Sequence, residues 1–187
     1  MNNEKDDGYY EDVTDPNLIN VLYEYHTYDK KNRGEFLIRA NWIEDFLEQI
    51  IAKLLIGTEK EKEEFIILML RKIGYDVKTS LFSDLMKKFL GDWDLEKKDT
   101  LSKLAQVKKI RNIYAHSVMD LRTEFLESNS RDMVQFEVKK NGKIEYKKFA
   151  KSELDNYFNM AGNLMNDLIK IDVHLHNKFK KSVDSKK

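Results

Sequence analysis

The chain has 187 residues, 41% of them hydrophobic and 35% charged, with no cysteine and with 33 basic against 33 acidic side chains. Disulfides, thiolate catalysis and cysteine-ligated zinc are therefore excluded, and a net charge of zero leaves no global basic footprint for nucleic acid, so any affinity for RNA has to be local. No apolar run approaches the ~20 residues that span a bilayer, and the acidic N-terminus fits neither a signal nor a transit peptide, so a cytoplasmic protein without a membrane partner is expected.

With one proline and seven glycines, the composition suits a helix-rich protein in which apolar stripes alternate with charged faces. Residues 1–14 are acidic and lack a packing period, which predicts a flexible tail. Asp15 and Pro16 then read as an N-cap followed by proline at the first helical position. They open a helix through Leu18, Leu22 and Tyr25 that is expected to end near Lys30, with Gly34 as punctuation. A second, longer helix follows, with Phe36, Ala40, Ile43, Leu47, Ile50 and Leu54 on one face and Gly57 as its stop.

Thr58 and Glu61 have capping-box spacing and start the next helix, which carries Phe65 to Leu70 and ends at Gly74. Its run of six apolar residues implies contact on more than one side, at the centre of a bundle or at a subunit interface. Leu81, Phe82, Leu85, Met86 and Phe89 give a shorter helix closed by Gly91. After the acidic turn Asp92-Trp93-Asp94, a long helix is expected to reach about Leu126, with Leu104, Val107, Ile110, Tyr114, Val118, Leu121 and Phe125 on one stripe. Arg111 falls inside that stripe. A guanidinium does not lose its charge and is almost never buried alone, so it needs a partner, for which Asp45 and Glu48 are candidates.

The period then changes from helical to alternating. Val134, Phe136 and Val138 are expected to face Ile144, Tyr146 and Lys148 across Asn141-Gly142, the strongest short-range signal for a tight hairpin, over about residues 133–148. A lone hairpin is marginal and must lie on the helices. Ser152 caps a last helix with Leu154, Phe158, Ala161, Leu164, Leu168 and Ile171 inside, and residues 179–187 read as a basic frayed tail. Residues 15–178 thus read as a single domain, mainly α, with one hairpin inserted before the last helix.

Arg111-Asn112-Ile113-Tyr114-Ala115-His116, preceded by Val107-Lys108-Lys109-Ile110 and followed by Ser117, resembles the R-x4-6-H signature of the HEPN superfamily. That resemblance implies an antiparallel helical bundle, commonly a homodimer, and for many members a metal-independent endoribonuclease in toxin–antitoxin or antiviral defence systems, with no cofactor. Arg111, Asn112 and His116 would be its catalytic residues. The chemistry suits them: RNA's own 2′-hydroxyl attacks the adjacent phosphate, so the reaction needs a proton acceptor, a proton donor for the leaving 5′-oxygen and positive charge near the phosphate. A histidine side chain, with an ordinary pKa near 6.5, serves either proton transfer, and arginine supplies a fixed bidentate clamp. One histidine per chain is too few for both transfers, and a two-fold dimer would supply the second. Lys103, Lys108, Lys109 and Tyr114 beside the motif are candidate RNA contacts, although charged helix runs are more often solvated faces.

The residues leave a second reading open. Arg111 can serve only as half of an ion pair, and the same motif occurs in the mannitol-operon repressor type, similar in K-I-R-N-x-x-A-H-S, which implies a non-catalytic regulator or binding module. Val118 stands where toxins paired with a nucleotidyltransferase carry a tyrosine, so that form of regulation does not transfer, although a separate antitoxin or defence partner stays open. His174 and His176, two apart on a helix, diverge by about 200° and do not chelate one ion. Asp92, Asp94 and Glu96 are better explained as an acidic turn than as a cation site, and His26 among Tyr23, Tyr25 and Tyr28 as packing rather than a stacking surface.

Overall fold

A computed structural model describes residues 15–56, 58–90, 94–128 and 131–184. Among them are six α-helices, one 3-10 turn and a three-stranded antiparallel sheet. The chain is mainly helical, with the hairpin before the last helix. The expected tail at residues 1–14, the stop at Gly57 and the residues Gly91, Asp92 and Trp93 lie outside the described residues. Two compact units result. One comprises the described residues up to Glu35 with Asn112–Asp155, the other Phe36–Arg111 with the residues from Asn156 on.

Helix α1 is a single element, Pro16–Leu55, rather than two helices parted at Gly34. An isolated glycine in a helix costs only about 1 kcal/mol against alanine, and local bonds bridge the expected break. Asp29 takes the Arg33 guanidinium one turn on, and the Asn32 side-chain amide donates to the Tyr28 carbonyl. Helix α2, Glu59–Leu68, starts as the capping residues predict, with Thr58 Oγ1 accepting from the Glu61 amide at 3.3 Å and donating to its carboxylate at 2.7 Å. Within the chain its apolar run packs on one side only, with Ile66 and Leu70 buried and Ile67, Leu68 and Met69 between them exposed, so it is not at the centre of a bundle. A 3-10 turn, Leu70–Lys72, leads to α3, Tyr75–Leu90.

Helix α4, Asp94–His116, carries the motif and buries Leu104, Val107, Ile110, Ile113 and Tyr114. It stops ten residues short of the expected Leu126. Ser117 still donates to the Ile113 carbonyl, but the Asp120 amide turns to the Gln135 carbonyl at 2.8 Å and strand β1, Val118–Met119, pairs with β2. Asp120 fixes the break: its carboxylate takes the Arg122 amide two residues on, an Asx turn that competes with helix continuation. Phe125 therefore belongs to a separate short helix, α5, Thr123–Ser128, and Val118 is exposed on the sheet.

Strands β2, Met133–Lys140, and β3, Lys143–Ala150, form the hairpin, with Asn141 and Gly142 at φ 51° and 75°. Two consecutive left-handed residues define the tight turn whose twist suits a hairpin. The pairing partners correct the sequence reading. Val134, Phe136 and Val138 lie opposite Phe149, Lys147 and Glu145, so Ile144, Tyr146 and Lys148 project from the other face. A two-residue loop pairs even positions with odd ones here, and side chains alternate with period 2. The inner face packs Phe136 edge-on between Tyr114, 5.6 Å away by ring centroid, and Phe149, 6.0 Å away. Helix α6, Lys151–Asp184, follows β3 directly and stays helical into the basic end of the chain. In the second unit it runs alongside α1, with Phe158 beneath Arg39 and Asp172 paired to Lys53 at 2.7 Å.

Candidate functional site

The last turn of α4 is held from α1. Arg33 donates through Nη1 to the Tyr114 and Ser117 carbonyls, the latter at 2.9 Å, while Nε and Nη2 reach the Asp29 carboxylate at 3.1 Å. The final carbonyls of a helix lack intrahelical partners, and a guanidinium with five fixed donors satisfies two of them while keeping its counter-ion. The rings of Tyr114 and Phe136 lie 5.8 and 5.9 Å from its carbon. Nothing in the spacing of the sequence pairs Arg33 with residues more than 80 positions away, and this residue was not among the candidates.

Clamped in this way, the end of α4 buries Ile113 and Tyr114, with Ser117 just beyond it, and exposes Asn112, Ala115 and His116. Asn112 and His116, one helical turn apart, share an exposed face. Arg111 is five residues from His116, about 140° around the helix axis. Its side chain is 32% exposed and pairs with Glu44 at 3.5 Å. The partner is therefore neither Asp45, which is exposed, nor Glu48.

Glu48 belongs to a charge cluster that the sequence did not announce. Lys78, 2% exposed, extends from α3 and lies 2.5 Å from both the Glu44 and the Glu48 carboxylates, which stand one turn apart on α1. Burial opposes the lysine's charge, but the hydrogen bonds it donates to Glu44 and Glu48 outweigh it and hold the ammonium above its ordinary range. Glu44 thus answers both Lys78 and Arg111, and Glu48 also faces Arg71 at 4.0 Å. The Tyr75 hydroxyl, whose pKa burial and Glu44 push up, lies beside this cluster and donates to the Leu104 carbonyl at 3.4 Å. The only sequence signal was the i, i+4 spacing of Glu44 and Glu48 on the packing side of α1.

The candidate RNA contacts divide. Lys103 is bound to Asp99 at 2.6 Å and Asp167 at 2.8 Å, which raises its pKa and ties it into the helical packing. Lys108 pairs with Asp76. Lys109 is exposed. Tyr114 is withdrawn as a stacking residue, because its ring is buried against Phe136 and burial lifts its hydroxyl pKa. Tyr25 is likewise a packing residue, edge-on to Phe125 with its hydroxyl donating to the Met133 carbonyl at 2.8 Å. His174 and His176 are exposed on α6, and among the described residues no group of three or more His, Asp or Glu side chains is arranged to hold a metal ion. No described helix is long and apolar enough to cross a membrane.

Asn112 and His116 together offer an amide and a proton-transfer group to solvent from a rigid helix end. Arg111, about 140° around the helix axis from His116, carries a permanent cation paired with Glu44. No family model, curated protein or solved structure matches the chain.

Proposed function

We propose that the protein is a HEPN-type, metal-independent endoribonuclease acting as a homodimer, in the role of a toxin or antiviral defence effector in the cytoplasm. His116 transfers a proton to or from the reacting oxygens, Asn112 orients it or a phosphate oxygen, and Arg111 stabilises the negative charge of the phosphorane. The 2′-oxygen forms a new bond to phosphorus as its proton leaves, the bond to the 5′-oxygen breaks, and that oxygen departs protonated. The products are a 2′,3′-cyclic phosphate and a 5′-hydroxyl. Two copies of the motif supply the two proton transfers.

The observation that carries this reading is the exposure of Asn112 and His116 on one face of a helix whose neighbouring residues are buried and whose end is clamped by Arg33. A packing histidine needs no such placement. The test is incubation of the purified protein with total RNA in EDTA, beside His116→Ala and Arg111→Ala. Cleavage that survives EDTA, leaves cyclic phosphate ends and falls about 100-fold or more in His116→Ala is the expected result. Absence of cleavage, or unchanged cleavage by His116→Ala, overturns it.

One observation favours the non-catalytic regulator or binding module: Arg111 already has a carboxylate partner in Glu44. On that reading Arg111→Ala alters stability alone, and the protein binds its partner or nucleic acid without cutting it.

A further inference from the structure

The solvent-facing side of the sheet exposes apolar and aromatic side chains beside basic ones. Val118, Glu137 and Tyr146 form one row across β1, β2 and β3, and Lys139 with Ile144 forms the next row towards the hairpin turn. Val118, Ile144 and Tyr146 are all exposed, Tyr146 by 45%. In a chain of zero net charge, this face of β2 and β3 carries Lys139 and Lys148 against Glu137.

Beside this row stands an arginine with its position fixed in advance. Asp120, 0% exposed, accepts from Arg122 Nε at 2.9 Å, from Arg122 Nη2 at 2.9 Å and from the Gln135 amide at 2.5 Å. The guanidinium it holds lies over the Tyr146 ring, 4.6 Å from the centroid. An exposed arginine ordinarily gives up considerable rotamer freedom on binding, and here that cost is already met by folding. Tyrosine and guanidinium planes are the groups on which unpaired bases stack.

We propose that this sheet face binds single-stranded RNA, with Tyr146 and Arg122 as a stacking platform for bases and Lys139 and Lys148 attracting the phosphates. The proposal deepens, and rests on, the reading of His116 as a ribonuclease residue. Val118, the first residue of the platform, is two positions after His116, so their Cα atoms are at most about 7 Å apart. Strand spacing puts β3 about 10 Å beyond β1. A strand lying across the sheet would therefore leave at the motif end of α4. The paired tyrosine and guanidinium planes suit bases, which a lipid surface does not offer.

The experiment measures binding of a fluorescein-labelled single-stranded oligo-U RNA by anisotropy, using the full chain with His116→Ala to suppress cleavage. Added Tyr146→Ala is expected to weaken binding about tenfold and Tyr146→Phe to stay within about twofold of the parent, because the ring and not the hydroxyl stacks. Lys139→Gln and Lys148→Gln should each flatten the salt dependence, by about 0.7 in log–log slope per lost phosphate contact. Duplex RNA of the same length should bind more weakly. Tyr146→Ala binding as tightly as the parent, duplex binding as well as single strand, or phosphatidylserine vesicles showing the only Tyr146-dependent binding would each overturn the proposal. Tyr146-dependent RNA binding in a protein that cuts nothing would keep the platform and remove the nuclease, whereas cleavage with no Tyr146 dependence would do the reverse.

Discussion

Arg33→Met tests whether the end of the motif helix is held from α1. Methionine keeps the length of the stem and removes the guanidinium. Two charged hydrogen bonds to the Tyr114 and Ser117 carbonyls disappear, and both residues are buried, so their oxygens are left poorly solvated. At the lower end of the range for bonds to a charged group, about 1.5 kcal/mol each, these contribute about 3 kcal/mol. The pair with Asp29, whose side chains are 24% and 20% exposed, adds about 0.5 kcal/mol. A total near 3.5 kcal/mol corresponds to a fall in Tm of about 10 °C in a chain of this length. Urea and thermal unfolding followed by circular dichroism would measure it. Asp29→Asn, which leaves both carbonyl bonds in place, should cost less than about 1 kcal/mol. If Arg33→Met loses no more than Asp29→Asn, the guanidinium does not hold the helix end and the account of why His116 is presented there fails.

Lys78→Met should be among the most destabilising single changes in the chain, by about 3–5 kcal/mol in urea unfolding, because it removes the buried cation that Glu44 and Glu48 share and leaves only the longer contacts to Arg111 and Arg71. Adding Glu48→Gln should recover part of that loss, and strict additivity of the two changes would refute a shared network. Gly34→Ala should raise stability by about 0.5–1 kcal/mol, since a Cβ there meets nothing within 4 Å and the backbone is mid-helix; destabilisation would restore the expected break. At Asp120, burial works against the charge, but the bonds from Arg122 and Gln135 outweigh it and hold the carboxyl below its ordinary range. Its contribution is therefore present above the unfolded-state value of about 4 and is lost as pH falls through the lower folded-state value. The stability gap between the parent and Asp120→Asn should accordingly narrow below about pH 4, and a gap constant from pH 7 to pH 3 would contradict the bonding described. At alkaline pH, Tyr28, pushed up to about 12 by burial and then by Asp155 and Asp29, favours folding fully below pH 10, and that contribution is lost as pH rises through about 12. Tyr28→Phe should flatten this alkaline limb in the same unfolding assay.

Local patterns in the chain were enough to place α2, α3, α6, the body of α4 and the hairpin, because each is decided by neighbours three or four residues apart or by a turn needing positive φ at two adjoining positions. Asn141-Gly142 fixed its turn without help from elsewhere, and Thr58 with Glu61 fixed the start of α2. The helical face that carries Asn112 and His116 was legible for the same reason, since 3.6 residues per turn is a property of the backbone. Tertiary partners decided the rest. Whether α1 breaks at Gly34 is a matter of about 1 kcal/mol, which the bonds of Asn32 to Tyr28 and of Arg33 to Asp29 just before it reverse. Where α4 ends depended on a strand partner, Glu137 opposite Val118, that lies in a later part of the chain. Which hairpin residues face outward turned on the parity of a pairing that a one-residue change in loop length would invert. That Arg111 would meet Glu44 rather than Asp45 or Glu48, and that Arg33 would close the end of α4, follow from how distant helices pack, and no periodicity encodes the identity of a residue many turns away.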